Sequence, residues 1–589
     1  MAVPRPPGPV AELARKVSPV RYLQGRVLCA RLSQLAFWSL AVWIVVFWRL
    51  GYLSLLDPDE AHYAQITREM HRAHRWLVPL LNGRPYIDKP VFYHWLQAAS
   101  VRLFGESEWA WRLPSALAAV GLLALVRWIA SQTFGRKTGN DAALMLATMP
   151  LTFALASVGL FDMVFSALLW GAIACLMMAA TQQRRWLEPL GWALLVPAVL
   201  TKGPVALVLI ALVGVALAAR TATRPLVAPL HWGWGLALVV LLASPWFVYM
   251  SRAFPDRFVR DYVVAGNLWY VTAPDVFSRR HSDLGFYVRT ISGALFPWSI
   301  LAIGRGVDVI RSWRRGESIA MEEQALWIWT LLIVGFFTVA RFKLDTYVFP
   351  VAPALAMLAA RGWHDGATAS AESRGTRYAA IIVGVVLVAA GVIASATLFR
   401  INLGLTSSAL LLPIVLAAGG TWFIVVLVRG RGALPRASHG LVIVLLCAYA
   451  TIVGVGYPVL ERARPSAVLG RWIRHHTLPT AKLGLLGLPD WRASVRYYSD
   501  REVIELGDDA DLRAFFAQWP DAFVLMRRAE YLARRDQHEL RVIGGRPAIV
   551  GRSGKYIRRQ LWGRIVVVTR TDLAPSDEGT NAERDLEAP

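Results

Sequence analysis

Thirteen stretches of apolar residues, separated by polar breaks, occupy most of the chain between residues 35 and 460, and they limit its fold more than any other feature. Only helices and closed barrels satisfy every backbone N–H and C=O inside hydrocarbon, and a crossing helix needs about 20 apolar residues. The candidate spans are 35–56, 113–130, 142–158, 163–180, 187–200, 205–219, 232–250, 286–303, 325–340, 347–360, 378–398, 410–428 and 441–460. With 56% hydrophobic and 17% charged residues, the 589-residue chain reads as a polytopic α-helical membrane protein and not as a soluble one.

Lys and Arg collect in cytoplasmic loops, which makes the orientation legible. A basic head over residues 1–34 is followed by a basic loop at every second connection, with Arg136 and Lys137, Arg184 and Arg185, Arg220 and Arg224, Arg311, Arg314 and Arg315, Arg374 and Arg377, then Arg429, Arg431 and Arg436. The alternate loops are poorer in positive charge, and an odd number of spans puts the C-terminal region on the outer side with them. One outer connection, 251–285, breaks the pattern with Arg252, Arg257, Arg260, Arg279 and Arg280, cations able to meet anionic head groups. The net charge of +23 is accounted for by topology and anionic lipid; no basic stripe clear of the spans points to nucleic acid. Cys29, Cys175 and Cys447 lie in the head or in spans and suggest neither a disulfide framework nor a thiolate metal site.

The first outer loop, 57–112, concentrates charge among aromatics. Asp57-Pro58-Asp59-Glu60 has the pattern of a helix start, with Asp57 as N-cap and Glu60 closing a capping box. That leaves Asp59 as a surplus carboxylate at a membrane boundary. Such a residue either favours the positive end of the helix dipole, by about 0.3–1 kcal/mol, or serves chemistry. Tyr63, Ile66, Met70 and Ala73 recur at helical spacing opposite His62, Gln65, Glu69 and Arg72, which predicts a helix lying on the membrane surface. Asn82-Gly83 predicts a tight turn, and a second helix, 91–104, stops at Gly105. Asp88 and Lys89 fall at the joint between them.

Asp162 stands at the outer entrance to the fourth span, where it either caps that helix or joins Asp59 in one cavity. Lys202, Arg341 and Lys343, with Tyr347 beside them, occupy short outer turns, and together with Lys89 they provide cations on the carboxylate side. His71 and His74 are spaced to share a helix face, but a solvated polar face accounts for them. Neither a nucleotide-binding glycine motif nor a nucleophile elbow occurs. After residue 460 the composition changes, and strands at 483–486, 502–506, 523–526, 540–543 and 565–569 alternate with helices near 491–498, 510–519 and 528–534, a small α/β domain over 461–571. The polar, acidic tail 572–589 reads as disordered.

Asp-Glu-Ala-His-Tyr-Ala-Gln-Ile-Thr-Arg-Glu-Met at 59–70, Tyr-Ile-Asp-Lys-Pro at 86–90, Leu-Phe-Gly at 103–105, Arg-Leu-Pro-Ser at 112–115, Phe161-Asp162, Thr-Lys-Gly at 201–203 and Lys-Leu-Asp-Thr-Tyr at 343–347 carry a resemblance to the bacterial lipid A aminoarabinose transferases. These are related to the protein O-mannosyltransferases among the C-type membrane glycosyltransferases. The resemblance implies about 13 transmembrane helices in the C-type fold, with a periplasmic α/β domain and an active site facing the periplasm from the bacterial inner membrane. It implies an undecaprenyl-phosphate sugar as donor and a lipid or protein acceptor. Asp59 would be the principal catalytic carboxylate and Asp162 the second acid, with Lys89 and Tyr347 near the donor phosphate. Lys202, Arg341 and Lys343 would add positive charge there, while Glu60, His62, Tyr63 and Asp88 would bind or support substrate. A divalent cation could bridge carboxylate and phosphate, although no dedicated ligand set is evident. Two positions depart from the family pattern: Asp88 stands where those transferases typically have Glu, and His62 where they have Arg. Protein O-glycosylation and, in another class, lipid-linked substrate transport are the alternatives.

Overall fold

The computed structural model describes residues 32–268, 284–368, 374–400, 407–429, 434–549 and 562–570. The basic head through residue 31, Arg279 and Arg280, Arg431, and the acidic tail lie outside these residues.

All thirteen apolar stretches are helical, but they are not thirteen uniform rods. Among the described residues, seven helices are long and apolar enough to cross a membrane unaided, including Glu108–Phe134, Phe161–Thr181, Trp232–Ala253 and Met321–Val339. Two more, Leu32–Phe47 and Val205–Ala218, are shorter. The first span therefore ends before residue 56, and the chain then turns beneath Trp109, where a Cβ on Gly51 would come within 2.8 Å of the Trp109 Cβ. The stretch 142–158 is divided into Arg136–Ala147 and Pro150–Ser157. Pro150 lacks an N–H, and Met149 before it is extended at φ −73°, ψ 133°, so the helix cannot run through. The stretch 286–303 is likewise broken before Trp298, where Phe286–Ala294 and Trp298–Arg314 meet at a 113° bend. A short 3₁₀ turn, Asp345–Val351, leads into Ala352–Thr368.

The rim segment forms two helices, Asp59–Arg72 and Phe92–Phe104, around a two-residue hairpin in which Leu80–Leu81 pairs with Arg84–Pro85. Asn82 and Gly83 take φ of 60° and 69°, the double left-handed conformation that an Asn-Gly hairpin turn needs. Gly105 ends the second helix at φ 81°.

The C-terminal domain is a five-stranded mixed sheet in the order Val503–Leu506, Leu483–Leu486, Phe523–Arg527, Trp562–Thr569, Arg541–Ile549. The first three strands are parallel and the last two join antiparallel. Buried side chains form a core on each face of the sheet, which is why its strands read as nearly unbroken apolar runs.

The rim helix Asp59–Arg72 does not float on a membrane surface with a wet polar face. Gln65, Thr67 and Arg68 on it are buried, as are Ala61 and Ala64. Leu55, Ala61, Ala64, Val101 and Trp111 form one apolar cluster with Ala467, Tyr497 and Tyr498 of the C-terminal domain. Arg68 donates to the Tyr497 carbonyl at 2.7 Å, and its guanidinium lies 3.5 Å from the Tyr497 ring centre. Arg72 pairs with Asp500 at 3.0 Å, and Arg496 with Glu69 at 3.1 Å. The amphipathic pattern was real; its polar face is covered by protein.

Candidate active site

The sharpest departure from the sequence reading lies in the four residues that open the rim helix. Asp57 does not cap that helix; Pro58 occupies the cap position and no side chain bonds there. Instead, Asp57 Oδ1 accepts the Ser494 N–H at 2.7 Å and Oδ2 accepts the Ser494 hydroxyl, so it caps the domain helix Arg492–Ser499 from 437 positions away. Arg464 stands 3.3 Å from the same carboxylate, and burial, the largest influence, still pushes the Asp57 carboxyl above its usual range.

Glu60 is not a reciprocal cap either. It is 1% exposed and ion-paired with Arg112, whose Nε donates to Oε1 at 2.7 Å and Nη2 to Oε2 at 2.8 Å. Glu60 also accepts the Leu56 N–H at 2.8 Å and the Gly159 N–H at 2.7 Å. Arg112 spends its remaining donors on the carbonyls of Leu50, Leu53 and Ser54. This buried pair ties the end of the first span to the turn that precedes Asp162. It holds the site from behind and does not line it.

Asp59, between these two, faces a cavity of about 790 Å³. The cavity is also lined by His62, Tyr63, Tyr86, Asp88, Lys89, Asp162, Lys202 and Tyr347, which come from five separated stretches of the chain. Asp162 sits in the first turn of Phe161–Thr181, and Lys202 in the last turn of Leu187–Lys202. Lys202 Nζ donates to Asp162 Oδ1 at 2.6 Å and lies 4.9 Å from the Tyr347 ring centre. Gly203 lets the chain leave at φ 88° immediately after Lys202; a Cβ there would come within 2.6 Å of the Tyr262 hydroxyl. Lys89 Nζ is 3.2 Å from Asp88, to which the Tyr86 hydroxyl also donates at 3.4 Å.

Asp59 has cavity space on one side and protein on the others, which explains how its side chain is exposed yet poorly hydrated. Desolvation, followed by the charges of Asp162 and Asp88, raises its carboxyl above the usual range, and Lys89 opposes this. Burial is also the largest influence on His62, which is held down to about 4 with help from the positive charges of Arg492 and Arg496. The imidazole is therefore neutral near pH 7, so it does not replace the charge of an arginine at this position. The Tyr63 phenol, pushed well up by burial and then Asp59, stays protonated.

Two expected cations are elsewhere. Arg341 and Lys343 do not line the cavity, and Lys343 Nζ donates to the Ala340 carbonyl at 2.6 Å. Their turn is represented by Phe342, Leu344, Asp345, Thr346 and Tyr347 instead. Two cations that sequence reasoning missed do line it: Arg492 and Arg496, from the domain helix capped by Asp57. No local pattern marked them, since their place depends on a domain packing across the rim. Among the described residues, no group of three His, Cys, Asp or Glu side chains is arranged to hold a metal ion.

The chain is a polytopic helical bundle with an acid-lined chamber at one end and a small mixed-sheet domain over it, and it has the C-type glycosyltransferase fold. Two solved structures of ArnT from Cupriavidus metallidurans share it, one bound to undecaprenyl phosphate (TM-score 0.69, 23% identity, 94% of this chain and 99% of that one) and one in the apo state (TM-score 0.69, 20% identity, 92% and 98%). Residues 88–249 match the family described as dolichyl-phosphate-mannose-protein mannosyltransferase. Among curated relatives, the chain is similar to undecaprenyl phosphate-alpha-4-amino-4-deoxy-L-arabinose arabinosyl transferases of Sodalis glossinidius (32% identity, 54% of this chain and 58% of the relative), Shewanella sediminis (30%, 53% and 56%) and Serratia proteamaculans (26%, 74% and 79%). The matches to the first two thus span a little over half the length of those relatives. These similarities bear out the family resemblance read from the motifs.

Proposed function

We propose that the chain is an integral membrane glycosyltransferase that moves a sugar from a polyprenyl-phosphate donor to an acceptor at the outer face of the bacterial inner membrane. One observation carries the reading: Asp59, Asp162, Lys89, Lys202 and Tyr347, far apart in sequence, line a single cavity at one end of the bundle. The names of the curated relatives and the family match support the reaction class. The outward orientation is supported by the basic loops at the opposite end.

In this reading the bond between the sugar carbon and the donor phosphate oxygen breaks as an acceptor oxygen bonds to the same carbon from the other side. Negative charge builds on the departing lipid phosphate, where Lys89 and Lys202 are the bundle's available cations. Each is already paired with a carboxylate, so the phosphate would exchange with Asp88 and Asp162 for the ammonium groups. Asp59 takes the acceptor proton, or orients an acceptor that is already ionised. Its raised affinity for protons brings it nearer to the working pH of a general base.

The acceptor in this reading is lipid A or a related envelope glycolipid, as the motif resemblance implies, and the sugar is 4-amino-4-deoxy-L-arabinose, which the relatives' names carry, or a close analogue. The match over residues 88–249 favours a second reading, with a protein hydroxyl as acceptor. Transport is less well supported, because transporters set ionisable groups on broken helices near the bilayer midplane and these gather at the rim. Asp59→Asn tests the reaction: in membrane vesicles supplied with an undecaprenyl-phosphate sugar it should cut transfer by roughly 10²–10⁴-fold without loss of protein. Turnover close to wild type would sink the proposal. Mass spectrometry of lipid A and periplasmic proteins from a deletion strain then separates the two acceptors.

A further inference from the structure

The cavity has two walls of different electrical character. The bundle wall mixes signs: Lys89 and Lys202 are each bound to a cavity carboxylate, and Asp59 and Asp345 add further negative charge. The wall provided by the C-terminal domain is purely cationic. Arg492 and Arg496 are one helical turn apart and share a face, and neither finds an acid inside the cavity. Arg492 pairs with Glu505 at 3.0 Å and Arg496 with Glu69 at 3.1 Å, both outside the lining. The Arg496 side chain is only 13% exposed, and its Nε and Nη1 have no hydrogen-bond partner although both atoms are buried. A guanidinium with two unpartnered nitrogens is an incomplete arrangement that a phosphate oxygen would complete at one of them. Burial already disfavours its charge, and an anion would offset that.

Resting on the glycosyltransferase reading, we infer that Arg492 and Arg496 form an anion subsite for the acceptor, one that binds a phosphate group of a phosphorylated glycolipid on the domain side of the cavity. The donor phosphate takes the lysines of the bundle wall, so two anionic substrates meet across Asp59 without competing for one set of cations. Asp57 is the positioning residue of this subsite. Its carboxylate holds the first turn of the arginine-bearing helix two residues before Asp59, which fixes the acceptor wall relative to the reacting one.

Binding by the purified full-length protein in nanodiscs tests this, with undecaprenyl phosphate, diphosphorylated lipid A and enzymatically dephosphorylated lipid A as probes. Arg492→Gln/Arg496→Gln should weaken diphosphorylated lipid A by roughly ten- to a hundred-fold and leave undecaprenyl phosphate within about two-fold. Wild type should lose a similar amount when the lipid is dephosphorylated. Asp57→Asn should weaken lipid A binding in the same direction, and Arg496→Lys, which keeps the charge, should recover part of the loss. If the double variant misfolds, Arg492→Gln alone, at a half-exposed position, carries the same prediction at smaller size. Unchanged lipid A binding in the variants, an equal loss for both phosphorylated lipids, or indifference of wild type to dephosphorylation would overturn the subsite. Competition by inorganic phosphate at the same concentration as the glycolipid would make it a free-phosphate site and overturn the acceptor assignment. Failure of wild type to bind undecaprenyl phosphate, with lipid A binding still sensitive to the arginines, would instead remove the donor reading and leave the anion subsite standing.

Discussion

At the end of the bundle remote from the cavity, Arg305 Nε donates to Glu323 Oε1 at 2.7 Å and Nη1 lies 3.0 Å from Asp365, while Asp308 accepts the Gly375 and Thr376 N–H groups at 2.7 and 2.9 Å. Asp141 there is 2.8 Å from His364 Nε2. At the cavity end, a 19-residue helix or about 28 Å away, Asp59 opens onto free volume and Asp162 is bound to a lysine that also faces it. The same residue types therefore do opposite work. Remote acids are consumed in joining helices, whereas cavity acids retain a face turned to open space. Glu60 shows that position on the chain does not decide which role is taken, since it adjoins Asp59 and behaves like an acid of the remote end.

The contrast between Asp59 and Glu60 gives the largest expected effects. Glu60→Ala should destabilise the protein by about 3–5 kcal/mol by stranding the buried Arg112 guanidinium, visible as low yield or an early thermal transition in detergent. Asp59→Asn should do the reverse, removing activity but not the fold. An ionised carboxyl with a raised folded pKa costs stability above that pKa, so the asparagine should melt at the same temperature or slightly higher at pH 7. If both variants lose stability alike, the division of roles between neighbouring residues fails.

At the remote end, Glu323→Ala should also lower thermal stability, by about 1–3 kcal/mol because Arg305 keeps Asp365, with turnover per folded molecule unchanged. Turnover that falls while the melting temperature holds would mean that this end reports to the site. Asp57→Asn should cost about 1–3 kcal/mol through the lost inter-domain cap, and its loss should appear in the melting of the C-terminal domain before that of the bundle. The smallest effects concern pH. Activity should fall on acidification at a pH above the ordinary carboxylate range, as Asp59 gains its proton, and His62→Gln should leave the profile between about pH 5 and 8 in place because the imidazole is neutral throughout that window. A shift of that profile in His62→Gln would show a charged histidine and so refute the role of the neighbouring arginines in depressing it.

Local signals account for much of what was legible. Hydropathy located the long apolar helices, Asn82-Gly83 the hairpin, Gly105 the end of the second rim helix, and the apolar runs after residue 480 every strand of the sheet, while the helical segments Phe258–Leu268 and Ser466–His476 went unread. Proline decided details that hydropathy overrides: Pro150 divides one span, and a second break falls before Trp298. Most of the proposed site residues also came from local reading, because a polar loop beside a membrane segment is conspicuous. Arg341 and Lys343 do not line the cavity, because being near Tyr347 in sequence does not turn a side chain toward the same space.

The sequence by itself determined the membrane class, the places of the long apolar helices, the sheet and the surplus of acids beside the first span, since each depends on periodicity or composition within a few turns of chain. Only the tertiary structure decided which of three neighbouring acids faces the cavity. Asp57 serves a helix 437 positions later, Glu60 neutralises an arginine 52 positions later, and Asp59 is left to the cavity. A carboxylate's role follows from which donor reaches it first in three dimensions, and the donors that settled this matter, like the arginines opposite, arrive from parts of the chain no local pattern connects.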